Sequence, residues 1–311
     1  MKKTVFIINM LVANLAFAAD GVLEINHICA SVLGCFNGDS AGYPINIDGS
    51  VGRSYRLTSD LVIPDENTDG IVITTPGISI DLNGFEIVRS ACFGATTNCL
   101  LSGTGSGINV STTNRGLSSS NYHGVSISNG SITGMGQHGV YLTGTTSLVK
   151  NLRLRWNGAS GIFSSNNSQT LTDNIVFSNG TYGIFANSSS AALIKNNVIY
   201  NNTSHGIWAY RGSTLEANIV YGNSDGIRVD RGSKVMGNTV YANSGTGIRA
   251  NAGSSVYDNT VYGNSGFGLD LDSAAVYRGN VLHSNGDNSA NGQVNSGFNM
   301  SGNFCVNTIC P

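Results

Sequence analysis

The sequence has little charge, little proline and no long apolar run after its N-terminus. Only 11% of the 311 residues are charged and the formal net charge is −2, which is too small and of the wrong sign for a nucleic-acid-binding protein. No segment after residue 18 is long and apolar enough to cross a bilayer, so the sequence predicts no transmembrane segment. Proline occurs only 4 times. Because aliphatic residues recur at fixed spacing, the composition is not that of a disordered chain.

The N-terminus has the three parts of a secretory signal peptide. Lys2 and Lys3 form a basic start, Thr4–Leu15 is an apolar run, and Ala16–Ala18 matches an A-x-A cleavage site. The apolar run is too short for a membrane anchor. We therefore predict that residues 1–18 are a cleaved signal peptide and that the mature protein is secreted, periplasmic or attached to the cell surface.

The six cysteines all follow this signal peptide and fall into three close pairs. In an exported chain such pairs predict local disulfides. None of the spacings is C-x-x-C and no histidine pairs with them, so they predict no zinc site. The predicted disulfides are Cys29–Cys35, Cys92–Cys99 and Cys305–Cys310.

The central part of the sequence repeats every 20–23 residues. A fixed period of this size is typical of stacked units that bury their apolar faces against one another. Within each repeat the runs are short, rich in Val, Ile and Tyr, and bounded by Asn, Ser and Gly, which predicts strands. Three such runs per repeat predict an all-β fold, the parallel β-helix, because propeller blades need about 40 residues and leucine-rich repeats need a leucine scaffold. The repeated Asn residues are Asn129, Asn151, Asn174, Asn197, Asn218, Asn238, Asn259 and Asn280, and the repeated Gly residues are Gly139, Gly161, Gly183, Gly206, Gly226, Gly247 and Gly268.

Alternation along the strands predicts which side chains face the core. The first and third residues after each repeated Gly are predicted to point inward. Two further inward columns are predicted, one from Leu148 through Leu171 to Val256 and one from Val176 to Leu282. We expect the repeated Asn side chains to bond from turn to turn and to tolerate a left-handed backbone. The repeated Gly is expected to supply backbone angles that a side chain would oppose.

The regularity also predicts the organisation of the chain. Residues 54–285 are predicted to form the β-helix, with an N-terminal cap at 19–53 and a C-terminal cap at 286–311, because both open ends of a solenoid need shielding. Residues 89–121 interrupt the period with a stretch rich in Gly, Ser and Thr. This stretch is predicted to be a protruding insertion loop.

Three motifs carry a resemblance to a known family. They are the repeated Asn-x-Val-Tyr-x-Asn…Gly-Ile, the segment Ile80–Gly84 (IDLNG) and the segment Asn129–Ile132 (NGSI). Over about residues 54–285 the sequence resembles the bacterial right-handed parallel β-helix repeat proteins of the pectin-lyase-like superfamily. The resemblance implies a right-handed β-helix in one domain. The superfamily includes pectate lyases, polygalacturonases, epimerases, phage tailspikes and copper-associated proteins, so the resemblance implies no single activity.

The outward positions of the Gly-Ile strands supply the candidate site, because enzymes of this superfamily work on an outward face of one sheet. Successive rungs lie about 4.8 Å apart, so an aromatic stripe leads directly into a block of Arg and Asp. Aromatic faces stack on sugar rings, Arg pairs with uronate carboxylates, and Asp serves as acid, base or calcium ligand. The candidate ligand-binding residues are Tyr141, Phe163, Phe185, Trp208 and Tyr210, and the candidate catalytic residues are Arg228, Asp230, Arg249, Asp270 and Asp272.

The same residues also have a purely structural interpretation. Outward aromatic residues stabilise sheets by stacking, and Arg249 beside Asp270 forms an ordinary cross-strand ion pair. The double Asp, Gly-His-Gly and Arg-Ile-Lys motifs of polygalacturonases are absent. His138 and His205 share a column but stand three rungs, about 14 Å, apart, which is too far to bind one metal ion. No metal centre is predicted, and calcium on the Asp residues is the one cofactor considered.

Three functions remain open from the sequence. The leading hypothesis is an exported protein that binds a polysaccharide or surface glycan on the aromatic, Arg and Asp positions. The first alternative is a polysaccharide lyase or glycoside hydrolase that acts on uronate polymers. The second is a non-enzymatic structural or adhesive surface protein.

Overall fold

A computed structural model describes most of the chain after the predicted signal peptide. Residues 1–18 lie outside the described residues, so the prediction of a signal peptide stays a prediction. Within the described part, no helix has the length and apolar character needed to span a membrane. The described residues are 21–110, 124–187, 191–286, 290–305 and 308–310.

The described chain is nearly all β and forms a parallel solenoid of about 11 turns, which confirms the predicted right-handed parallel β-helix. Each regular turn contributes one strand to each of three parallel ladders, and most strands are three residues long. Two longer strands, Ser126–Thr133 and Leu148–Arg155, continue without a break from the second ladder into the third.

The strands that follow the repeated Gly residues form ladder 1. Ladder 1 comprises Ile45–Ile47, Ile71–Ile73, Ile108–Val110, Val140–Leu142, Ile162–Ser164, Ile184–Ala186, Ile207–Ala209, Ile227–Val229, Ile248–Ala250, Leu269–Leu271 and Val294–Asn295. Ladder 2 comprises Leu23–Ile25, Ser54–Leu57, Ser79–Asp81, Ser126–Thr133, Leu148–Arg155, Thr170–Thr172, Leu193–Lys195, Thr214–Glu216, Lys234–Met236, Ser255–Tyr257, Val276–Arg278 and Phe298–Asn299. Ladder 3 comprises Leu61–Ile63, Glu86–Arg89, the second halves of Ser126–Thr133 and Leu148–Arg155, then Ile175–Phe177, Val198–Tyr200, Ile219–Tyr221, Thr239–Tyr241, Thr260–Tyr262, Val281–His283 and Phe304–Cys305.

Few described residues lie in other elements. A π-helix at Cys29–Leu33 and a 3-10 helix at Ser90–Cys92 are single turns, and the α-helix Ala290–Gln293 precedes the last rung of ladder 1. Thr308–Ile309 pairs antiparallel with Phe304–Cys305 and ends the sheet. All three predicted disulfides are present, at Cys29–Cys35, Cys92–Cys99 and Cys305–Cys310.

The inward columns form one continuous apolar core along the solenoid. The first and third residues of the regular ladder-1 strands are buried, as predicted, and so is the column from Val176 to Leu282. The start of the remaining column was predicted wrongly. Val149, not Leu148, is fully buried, because the strand register pairs Val149 with Leu171.

Buried Asn side chains connect the turns, as the repeat predicted. In one row Asn174, Asn197, Asn218 and their successors each donate through the backbone N–H and the side-chain amide to the next Oδ1 at 2.9–3.0 Å. A second row, from Asn157 to Asn285, repeats the arrangement. These bonds satisfy polar groups that would otherwise be buried without partners.

The left-handed backbone lies one residue earlier than predicted. Asp173, Asn196 and Ala217, which precede the buried Asn residues, have φ of 58°, 57° and 54°. Asn129 and Asn151 belong to this exposed turn column and not to the buried row. The sequence repeat therefore joined two neighbouring columns into one series.

The repeated Gly residues are needed because a side chain would not fit, and not because the backbone is left-handed there. The prediction of a special backbone angle was therefore wrong. None of them is among the glycines with positive φ. A Cβ on Gly226 would lie 2.5 Å from the carbonyl oxygen of Gly247 and 2.5 Å from Cγ1 of Val240. The glycine therefore allows the corner of one turn to contact the next turn and the core at the same time.

The winding extends further than the predicted boundaries. Leu23–Ile25 and Ile45–Ile47 lie within the predicted cap 19–53 and pair with later rungs. Phe298–Asn299 does the same within residues 286–311. Residues 89–121 do not leave the solenoid as a whole, because Ile108–Val110 forms a rung of ladder 1. Residues 111–121 of that segment lie outside the described residues.

Candidate functional site

The candidate residues lie on the outward side of ladder 1, which we call the ladder-1 face. Its first column is fixed by strand register, since each residue is the direct partner of the next from rung to rung. Its second column follows the last inward residue of each strand. The first column is Tyr141, Phe163, Phe185, Trp208, Arg228, Arg249 and Asp270, and the second includes Tyr210, Asp230, Asn251 and Asp272.

The aromatic rings of the first column pack on one another. Ring centroids are 5.3 Å apart for Tyr141 and Phe163, 5.3 Å for Phe163 and Phe185, and 4.8 Å for Phe185 and Trp208. The buried His138 ring stacks on Phe163 at 4.8 Å. Phe185 and Trp208 are stacked at an interplanar angle of 26°, whereas Phe163 meets Phe185 edge to face at 86°, so the row stabilises the sheet by both kinds of ring packing.

Arg228 lies where the aromatic row meets the charged rungs. Its guanidinium carbon is 4.4 Å from the centroid of the Trp208 ring, and both side chains are half-buried. Among the described residues, no carboxylate lies within ion-pair distance of Arg228. Tyr210 adds a second ring beside Trp208, with centroids 6.2 Å apart. The result is a half-exposed cation packed on one aromatic ring, with a second ring nearby.

Arg249 and Asp270 form the cross-strand ion pair that the sequence predicted. Nε of Arg249 is 2.7 Å from Oδ2 of Asp270. The other oxygen of Asp270 accepts a hydrogen bond from Nδ2 of Asn295 at 2.8 Å. Both oxygens of this carboxylate therefore have partners within the protein.

The other candidate carboxylates are separated. Asp230 accepts a 2.7 Å hydrogen bond from Nδ2 of Asn251, and the exposed Asp272 accepts one from the backbone N–H of Ala274 at 3.0 Å. Asp230 and Asp272 stand two rungs apart, about 10 Å at 4.8 Å per rung. In the part of the chain that the structure describes, no three His, Cys, Asp or Glu side chains come together as a metal-binding group.

His205 lies behind this face and was not predicted to belong to it. Nδ1 contacts Oγ of Ser204 at 3.1 Å, while Nε2 is buried and 3.6 Å from Oδ2 of Asp225, which is too long for a hydrogen bond. Burial lowers the pKa of His205, and the positive charges of Arg228 and Arg249 lower it further, although Asp225 acts in the opposite direction. The imidazole is therefore neutral at neutral pH and acts as an aromatic ring, stacked on Trp208 at 5.4 Å.

A second aromatic row, on ladder 3, was not predicted from the sequence. Phe177, Tyr200, Tyr221, Tyr241, Tyr262 and His283 stack in order, with centroids 4.7–5.0 Å apart and interplanar angles of 2–10°. The signal is the Tyr that ends the repeated Asn-x-Val-Tyr motif. This Tyr recurs once per turn of the solenoid, one position after the buried core residue.

Comparison with known proteins agrees with this architecture. The family model described as "right handed beta helix region" matches residues 115–257. This chain is a right-handed β-helix repeat protein. No curated protein matches the sequence of this β-helix protein.

Several solved structures share the fold. The A-module of mannuronan C-5 epimerase AlgE6 from Azotobacter vinelandii is 16% identical, with a TM-score of 0.58, over 90% of this chain and 89% of that chain. A mutant of the periplasmic alginate epimerase AlgG is 18% identical, with a TM-score of 0.51, over 83% and 74%. XylC in complex with xylose is 12% identical, with a TM-score of 0.51, over 71% of this chain and only 45% of that chain. At these identities the similarity shows the fold alone.

Proposed function

We propose that this β-helix protein binds a polysaccharide along the ladder-1 face. The observation that carries the proposal is Arg228, a cation packed on Trp208 and without a carboxylate partner among the described residues. Such a guanidinium is available for a carboxylate of the ligand, and a charge-assisted bond of this kind is stronger than a neutral one. The edges of Trp208 and Tyr210 supply apolar contact beside it.

The shape of the face suits an extended polymer. The outward columns run parallel to the solenoid axis, and each rung places a new side chain about 4.8 Å further along. A linear glycan on this path meets aromatic edges first, then Arg228, then the polar groups of Asp230 and Asn251. The half-buried side chains there are held by their own stacking and hydrogen bonds, so little order is lost on binding.

The names of the similar structures support a carbohydrate ligand. Two are epimerases of mannuronan and of alginate, and one contains xylose. We therefore place the ligand among polysaccharides, with uronate polymers as the first class to test.

Binding is favoured over lyase or hydrolase chemistry by the state of the ionisable groups. Asp270 is neutralised by Arg249, Asp230 is bonded to Asn251, and Nε2 of His205 is buried. A general acid or base must reach the substrate proton by a hydrogen bond, and in His205 Nε2 is buried while Nδ1 contacts Oγ of Ser204. Release of reducing or unsaturated ends from a bound uronate polymer would instead assign the enzymatic alternative.

We also propose that the protein functions in the periplasm or outside the cell. Three disulfides fit an oxidising compartment. Mass spectrometry of the protein from cell fractions tests both parts of this proposal. An intact Met1 and a cytoplasmic fraction would contradict export after removal of residues 1–18.

Affinity electrophoresis in gels that contain alginate or polygalacturonate tests the binding proposal. The wild type is expected to be retarded, and Trp208→Ala and Arg228→Gln to bind at least about tenfold more weakly. Tyr257→Ala is the matched control, because Tyr257 is an outward ladder-2 aromatic residue that packs under Arg278. Equal retardation of the wild type and both ladder-1 variants would show that the polysaccharide does not bind on this face.

A further inference from the structure

Between Ile175 and His283 the outward side of ladder 3 is a strip without Asp, Glu, Lys or Arg, which we call the tyrosine face. It consists of two columns over six rungs, and neither column contains Asp, Glu, Lys or Arg. The members of the first column are Ile175, Val198, Ile219, Thr239, Thr260 and Val281, and those of the second are Phe177, Tyr200, Tyr221, Tyr241, Tyr262 and His283.

The first column exposes aliphatic side chains. Ile175, Ile219 and Val281 have exposed fractions of 38%, 40% and 41%. Because the Ile and Val positions on the opposite side of the same strands are fully buried, the core does not require these outward aliphatic residues. With the half-buried Val198, Thr239 and Thr260 they form a mostly aliphatic row, in which the two Thr side chains lie between Ile219 and Val281.

The second column exposes phenol hydroxyl groups. The rings of Tyr200, Tyr221, Tyr241 and Tyr262 lie face to face, so their faces are covered and only their edges and hydroxyls meet solvent. Burial, and then the neighbouring tyrosines, raise the pKa of Tyr221 and of Tyr241, so both hydroxyls stay protonated. The face therefore offers a row of hydroxyl donors and acceptors beside a row of aliphatic groups.

The tyrosine face alone is too small for a standard protein interface. Six rungs at about 4.8 Å span about 24 Å, and a three-residue strand is about 10 Å wide. The resulting area, on the order of 240 Å², is far below the roughly 800 Å² per partner that a standard protein interface buries. A single extended polymer needs no more width than this strip provides.

We propose that the tyrosine face binds an uncharged glycan chain that lies along the solenoid axis. Arg153 approaches only the first rung, with its guanidinium carbon 5.1 Å from the centroid of the Phe177 ring. The absence of Asp, Glu, Lys and Arg from both columns favours a neutral polymer, since a uronate carboxylate would find no cation in these columns from Val198 to His283. Sugar hydroxyls bond to the tyrosine hydroxyls, and the C–H surfaces of the sugars pack on the aliphatic row. This site is separate from the ladder-1 face and does not depend on it.

Affinity electrophoresis with hydroxyethyl cellulose and galactomannan, against alginate as the charged comparator, tests this inference. The wild type is expected to be retarded by at least one neutral glycan, and Tyr221→Ala/Tyr241→Ala to bind it about tenfold more weakly. Tyr241→Phe keeps the ring stack and removes one hydroxyl, so it is expected to bind about fivefold more weakly. Tyr257→Ala is expected to bind the neutral glycan like the wild type, because Tyr257 lies on ladder 2 under Arg278.

Three outcomes would overturn the inference. The first is no retardation of the wild type by either neutral glycan, and the second is equal binding by the wild type and both tyrosine variants. The third is a wild-type dimer in analytical ultracentrifugation that Tyr221→Ala/Tyr241→Ala converts to monomer without any glycan binding, because the occupant would then be a second copy of the chain. Loss of alginate binding alone bears on the ladder-1 face and leaves this inference standing.

Discussion

Asn218 offers a direct measure of how much the buried Asn rows contribute to stability. Its side chain is fully buried and makes four hydrogen bonds. Oδ1 accepts from the backbone N–H and the side-chain amide of Asn197, and Nδ2 donates to the carbonyl of Ile194 and to Oδ1 of Asn238. In Asn218→Ala the amide of Asn197 keeps two carbonyl acceptors, but the buried backbone N–H of Asn197 loses its partner.

The expected loss of stability follows from the hydrogen bonds that the substitution removes. A buried donor left without a partner costs about 1–3 kcal/mol, and each ordinary hydrogen bond contributes about 1 kcal/mol net. We therefore expect Asn218→Ala to lower the free energy of unfolding by roughly 2–4 kcal/mol. Urea titration followed by circular dichroism measures it, provided that the m value is unchanged.

Two further variants sharpen the experiment. Asn218→Asp keeps the size and the acceptor but replaces the donor by an oxygen that faces the carbonyl of Ile194, so it should also destabilise the protein. Asn251→Ala removes an outward Asn with one hydrogen bond and is expected to cost less than about 1 kcal/mol. A change below about 0.5 kcal/mol for Asn218→Ala would refute the view that these rows hold the turns together.

Two other perturbations test the packing behind the candidate site. Burial lowers the pKa of His138 to about 4. Because the unfolded chain therefore binds this proton more readily than the folded chain, protonation favours unfolding. The free energy of unfolding is unaffected by this histidine above about pH 6.5 and falls by roughly 3 kcal/mol as the pH approaches 4. His138→Phe should reduce that acid sensitivity in urea titrations at pH 7 and 4.5, and parallel pH dependence in both proteins would contradict the assignment. Gly226→Ala brings a methyl group against the carbonyl oxygen of Gly247 and against Val240, and should cost at least about 1–3 kcal/mol. Gly237→Asn, at a position with φ of 63° and open space, should change thermal stability little; a loss equal to that of Gly226→Ala would contradict the view that close contact sets the cost at Gly226.

The repeat predicted the fold and the core because periodic burial follows directly from stacking. It was less informative wherever two adjacent columns carry similar residues. In the strand Leu148–Arg155 two aliphatic residues stand next to each other, and the sequence does not show which of them begins the inward alternation. Leu148 and Val149 are therefore equally plausible core residues from sequence. Asn151 looks like a member of the buried row for the same reason, although it lies one residue earlier.

The candidate site was predicted in its position but not in its interactions. Alternation placed Trp208, Arg228 and Arg249 on one outward column, and the structure aligns them in register. Sequence could not show that Arg228 packs on Trp208 while Arg249 pairs with Asp270, because that choice depends on side-chain conformation. His205 was missed because its contribution comes from a turn and not from a strand position.

Oxidative footprinting by mass spectrometry, with and without a saturating uronate polymer, identifies the side chains that the bound polymer covers. If the polymer binds along the ladder-1 face, Trp208 and Tyr210 become protected on binding, while Tyr257 on ladder 2 and Tyr221 on the tyrosine face keep their reactivity. Protection confined to other residues, or binding without any protection of Trp208 and Tyr210, would contradict the claim that polysaccharide is recognised on the ladder-1 face.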